Sequence, residues 1–257
     1  MFRAKTALHR PAESIYERKG ADMSQMRPLS LIAIVTWSLV VCLGVSARAG
    51  SNVAYIDQPG DLNTATQVQQ GSDNNALIEQ SGQNNTATQT QIGESNQAKI
   101  NQAGDQGTAI QTQTGISNGA SISQNGSATV ASQVQSGNLN AAYIGQVGVG
   151  LVAQQTQIGH GNTASGTQNG NGNFMQQSQL GDGNLAVGSQ AGDGNLLQQM
   201  QSNSGNQSQA VQNGSNDVMA LQQFGNSDLN ATQIGDNLNY SITQSGNAPP
   251  VTVVQTH

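Results

Sequence analysis

The chain has 257 residues, of which 9% are charged and 3% aromatic, with one cysteine. From residue 50 onward eleven Asp and Glu face a single cation, Lys99, a balance of about −10 that leaves nothing to neutralise phosphate and excludes a nucleic-acid binder. So little charge and so few large apolar side chains are also wrong for an ordinary soluble enzyme of this length.

The first 49 residues differ from the rest, holding seven of the eight Lys and Arg. Arg27 precedes an apolar run, Leu29 to Val45, and Ala47-Arg48-Ala49 then forms an A-x-A exit before Gly50. Positive start, apolar middle and small-residue exit predict a secretory signal peptide over 1–49, cleaved after Ala49. The run is also about long enough to cross a bilayer, but the cleavage pattern and the abrupt change of composition favour removal. The basic stretch is long for a leader, and Met23 or Met26 gives a conventional start. Val41 is too bulky for Cys42 to sit in a lipoprotein site, and beyond Cys42 there is no cysteine to form a disulfide.

Past residue 50 the composition of Gln, Asn, Gly, Ser, Thr and Ala resembles a disordered polar tract, and periodicity overrules that reading. Gln recurs every eleven residues, at Gln58, Gln69, Gln80, Gln91, Gln102, Gln113, Gln124, Gln135, Gln146, Gln157, Gln168, Gln179, Gln190, Gln201, Gln212 and Gln223. Two residues after each stands Gly (Gly60, Gly71, Gly82, Gly93, Gly104, Gly115 and onward), with Asn203 the one substitute. Asn follows three residues later, and Ala two beyond that, each in eleven of the sixteen units. The residue two before the anchoring Gln alternates as Ile56, Gln67, Ile78, Gln89, Ile100, Gln111, so the unit is a pair of unlike halves. Later the Ile position decays to Gly166, Gly188 and Ala210.

Within a half-repeat, Asn63, Ala65, Gln67 and Gln69 lie two apart and share one strand face, with Thr64, Thr66 and Val68 on the other. Gly71-Ser72-Asp73 supplies the turn. An odd period would flip the faces of a continuous strand, so each turn must reset the register. The prediction is an all-β chain: a two-sheet β-solenoid over 50–246, of about nine 22-residue rungs, with Gln amides stacked in ladders and cross-β stacking in a fibre. The interior is expected to be thin, and each rung stable mainly when covered on both sides, so end rungs should seek partners. The one-residue slip after Gly225 reads as a bulge or a shortened turn. Pro249-Pro250 interrupts the pairing, and 247–257 is either a tail or a final strand.

The motif Gln, x, Gly, two residues, Asn, x, Ala, three residues, Gln, as in Gln69-Gln70-Gly71-Ser72-Asp73-Asn74-Asn75-Ala76 closing at Gln80, resembles the curlin repeat family of bacterial curli fibre subunits. The likeness covers nearly all of 54–246. It implies an extracellular functional amyloid for biofilm matrix and cell adhesion, self-associating with similar subunits and exported through an outer-membrane channel with chaperones. Repeats here begin at once, where the family's major subunit has a targeting segment, and they are more numerous.

No catalytic constellation emerges: no serine has a His at motif-like spacing, and no Gly-rich loop carries a Lys. Catalysis, cofactors and small-molecule substrates are not expected. His160 and His257 lack companions for a metal, and Gly181-Asp182-Gly183-Asn184 and Gly192-Asp193-Gly194-Asn195 read as plain turns. Asp61, Asp73 and Asp105 read as solvated gatekeepers. The alternative, a soluble capped solenoid adhesin or ice-binding-type protein, would want a regular outward Thr row. Thr66, Thr88, Ile110, Ser132, Gln154 does not keep one.

Overall fold

A computed structural model describes the backbone at residues 31–33 and 39–42 and the chain over 51–256. Ala49 and His257 lie outside the described residues, as does most of the leader. Strands alternate between two parallel sheets, one of twelve strands and one of ten, and each pairs with its counterpart one turn on; Val53–Asp57 and the short Gly60–Asp61 share one turn and both pair with Asn75–Gln83. The result is a β-solenoid of about nine turns.

In the first sheet the pairs run Ala120↔Ala142, Ile122↔Ile144 and Gln124↔Gln146; in the second, Ala109↔Ala131, Gln111↔Gln133 and Gln113↔Gln135. Like residues thus stack on like, which is how identical amide side chains come within reach of one another. Inward positions are buried and the alternate ones face outward, as in Thr64–Ser72, where Ala65, Gln67 and Gln69 are buried and Thr64, Thr66 and Val68 are not.

The turns are tighter than the sequence suggests. Strand pairing continues through Gly71 and Ser72, and the chain reverses over the two residues that follow. Gly71 has φ 108° and Asp73 φ 57°, and this pair of positive φ values recurs at corner after corner. The second of these positions went unnoticed in the sequence, although Gly150, Gly161, Gly172, Gly183, Gly194 and Gly205 mark it at eleven-residue spacing. Earlier corners use Leu62, Ala128 and Leu139 there at φ 54–58°, which strains an L-residue.

The register slip is a shortened turn. Gly225-Asn226-Ser227 lacks the left-handed residue, and Ser227 takes the buried place that Asn holds elsewhere. The pairing Gln212↔Gln233 resumes at once in register. After Pro249-Pro250 the chain forms a final strand, Val251–Thr256, paired with Asp228–Ile234.

The core is a narrow strip in which the two walls share the volume. Through the first turns Ile78, Ile100, Ile122 and Ile144 of the first sheet are fully buried opposite Ala87, Ala109, Ala131 and Ala153 of the second. From residue 166 the arrangement inverts: Gly166 and Gly188 stand where Ile stood, and Met175 and Leu197 where Ala stood. A Cβ on Gly166 would lie 2.6 Å from Met175 Sδ, and one on Gly188 2.8 Å from Leu197 Cδ2. What reads in the sequence as decay of the Ile alternation is therefore a transfer of bulk from one sheet to the other at constant filling.

Candidate functional site

The residues singled out by the repeat form three buried amide ladders. One runs along the first sheet from Gln58 to Gln255, and one along the second from Gln69 to Gln244. A third, from Gln67 to Gln199, lies beside the second. All sixteen anchoring Gln are buried. Gln111 is typical: Nε2 donates to Gln133 Oε1 at 2.9 Å and to the Lys99 carbonyl at 2.9 Å, while Oε1 accepts from Gln89 Nε2 at 2.9 Å. Most ladder amides likewise bind their neighbours along the axis and also the main chain of the opposite sheet. The second role, which bolts the two sheets together, is not visible from spacing, because spacing does not say what lies across the core.

Ladder polarity is uniform. Along each ladder Gln Nε2 points toward the C-terminal neighbour's Oε1, from Gln58 to Gln80 through to Gln233 and Gln255. At its two ends the stack therefore presents different groups. Gln67 Oε1, at the start of its ladder, is buried without a hydrogen-bond partner. The third ladder closes internally: Leu221 replaces Gln, and Gln199 Nε2 donates instead to Ser208 Oγ at 2.9 Å.

The corner Asn residues form a further ladder. Asn118 donates Nδ2 to the Gly137 carbonyl at 2.7 Å, and its Oδ1 accepts the Asn140 backbone N–H at 3.1 Å. The six predicted turn glycines carry φ between 97° and 129°. A Cβ on any of them would lie within about 2 Å of the carbonyl oxygen of the glycine one turn on, so glycine stacks on glycine for lack of room.

Asp217 occupies one Asn position of this corner ladder. It is fully buried; its backbone N–H donates to Asn195 Oδ1 at 2.9 Å, and Oδ1 accepts from the Leu238 N–H at 2.9 Å. Oδ2, placed where Asn has an NH2, has no partner. Burial raises its pKa above 3.8, the Leu238 N–H opposes that, and the Asp236 charge adds to it. A raised carboxyl pKa means that the folded state holds its proton more firmly than the unfolded chain. The stabilising contribution is complete below the unfolded pKa and is lost as pH rises through the folded one. Asp217→Asn should therefore raise stability at pH 7 and flatten its decline between acid and neutral pH, measured by denaturant titration at several pH values.

No protein-family model and no curated protein matches the chain. Among the described residues no group of three His, Cys, Asp or Glu could hold a metal ion, and no helix is long and apolar enough to cross a membrane. His160 lies exposed at a corner, its backbone N–H donating to Asp182 Oδ1 at 2.8 Å. Asp182 and Asp193 bond to main-chain amides of neighbouring corners and do not converge on a common point.

Proposed function

We propose that this chain is a structural subunit that polymerises into an extracellular cross-β fibre of the curli type, serving adhesion and biofilm matrix after removal of the leader and export through an outer-membrane channel with chaperones. The observation that carries the reading is that the two anchoring Gln ladders run to an open end. Among the described residues the last strands, Asn239–Ser245 and Val251–Thr256, are each paired on one side only. Such edges template further strands unless a protein blunts or covers them. The core is open there too, with Tyr240, Ile242 and Val251 packed against it from one side and half exposed.

A solenoid built as a soluble binder would display one regular outer face. Its best candidate is the paired row Thr64, Thr86, Thr108 of the second sheet, and it gives way to Val130 and Val152. The buried ladders continue where the surface row stops, which favours assembly over surface recognition.

Residues 50–257 hold every rung of the repeat. Diluted from denaturant, they should show a lag, a rise in thioflavin T fluorescence that preformed fibre hastens, and reflections near about 4.7 and 10 Å. A soluble β-rich monomer that never binds the dye and ignores seeds would overturn the proposal.

A further inference from the structure

Resting on that reading, we infer that the fibre is polar and that its junction is a defined register in the first sheet: the C-terminal strand of one copy, Val251–Thr256, stacks on the N-terminal strand of the next, Val53–Asp57. The Gln ladders fix the alignment. In the first sheet Gln233 stacks on Gln255, and Gln58 on Gln80. Placing Gln255 over Gln58 sets Val253 over Ile56, Thr252 over Tyr55 and Val251 over Ala54. Past the leader the first sheet has ten rungs and the second nine, so the second sheet then has a one-strand gap at the junction, with Gln244 and Gln69 two strand spacings, about 9.6 Å, apart.

Three observations support this end-to-end order over its alternatives. All the described strand pairs are parallel, so only a C-terminal end on an N-terminal end continues the first sheet without reversing strand direction. The ladders donate in one direction throughout, so two C-terminal ends would set Nε2 donors against donors and two N-terminal ends would set carbonyls against carbonyls. Moreover, the N-terminal edge of the first sheet accepts a parallel strand opposite the same residues, Ala54 to Ile56. While the leader is attached, Leu31–Ala33 pairs there with Leu31 opposite Ala54, and Leu39–Cys42 pairs on the second sheet with Leu39 opposite Thr64. Leader removal reopens both edges.

The second sheet makes no amide link across that gap, so Gln67 Oε1 gains no donor and the junction has fewer amide links than an internal rung.

The chain beyond Cys42 lacks cysteine, so engineered thiols report the junction directly. Thr252 is exposed and Tyr55 half-buried, both facing outward. Stacked strands lie about 4.8 Å apart, within the Cα range of an unstrained disulfide. Residues 50–257 carrying Thr252→Cys are mixed with the same chain carrying Tyr55→Cys, assembled on wild-type seeds and oxidised. The expected product is a mixed dimer, one chain of each variant joined by a disulfide, in large excess over either like-with-like dimer. A second pair, Val254→Cys with Asp57→Cys, should behave the same way. Thr252→Cys with Asp57→Cys, out of register by two, should cross-link at least about ten-fold less, since the two Cα atoms then stand beyond disulfide reach. Fibres that form but yield like-with-like or register-independent cross-links overturn the junction and leave the fibre standing. Failure of the unsubstituted chain to polymerise overturns the fibre, and the junction with it.

Discussion

Gly115→Ala should abolish ordered stacking at its corner and, in the leaderless chain, slow fibre growth by at least an order of magnitude. Two causes act together. Gly115 has φ 126°, a conformation that an L-residue rarely adopts and that costs roughly 1–3 kcal/mol where it is forced. The added methyl would also lie 1.9 Å from the Gly137 carbonyl oxygen, which is backbone with no flexible end to swing aside. Relief requires the two turns to part, and the corner bonds that tie turn to turn, such as Leu139 N–H to Ile116 O at 3.0 Å, lengthen with them. Gly119 is the internal control, because a Cβ there meets nothing within 4 Å and its φ is not positive. Gly119→Ala should leave denaturation and growth rate nearly unchanged. Equal effects from the two substitutions would show that glycine matters here for chain flexibility and not for space.

The second large effect belongs to the ladder. Gln111→Ala removes an amide that donates to Gln133 Oε1 and the Lys99 carbonyl and accepts from Gln89. It leaves two acceptors and one donor short of a bond in a dry interior, and each unsatisfied group costs roughly 1–3 kcal/mol. A loss of about 3 kcal/mol or more is expected in denaturant unfolding of the leaderless chain, with Thr114→Ala on the exposed face within about 0.5 kcal/mol of wild type. A loss below about 1 kcal/mol would mean that the ladder is decorative and that the Ala–Ile strip holds the sheets together. The native sequence obeys the same rule, since its one interruption of this ladder, at Leu221, is accompanied by Ser208, which accepts the stranded Gln199 amide.

Much of this architecture was legible in the chain because stacking copies the sequence period into space. Two-residue alternation assigned Asn63, Ala65, Gln67 and Gln69 to the interior, and the halves with Ile and with Gln two places before the anchoring Gln became the two sheets. What the period could not convey is the relation between unlike halves. Whether Gly166 is a loss or a socket depends on Met175 across the core, and nine residues of chain separate them. Likewise, the Gln donation to Lys99 and its equivalents runs between sheets. The buried carboxyl of Asp217 carries no local mark in the chain, because only its place in the Asn ladder sets it apart from the exposed acids. The C-terminal strand escaped firm assignment because the short corner and the paired prolines break the period just before it.

The transfer of bulk between the walls has one more consequence. A chain of near-identical turns faces a counting problem: a strand that docks one turn too early or too late still meets Gln with Gln and Ala with Ala. Within the first five turns little penalises the error, since every turn offers Ile against Ala. Past Gly166 the pattern is reversed, so a chain slipped by one turn across that point sets Ile against Met or glycine against alanine. The first overfills the strip and the second hollows it, and either costs on the order of 1–3 kcal/mol. The inversion between Ile144 and Gly166 thus works as a phase mark, a single place from which an otherwise uniform solenoid can tell how far along itself it has folded.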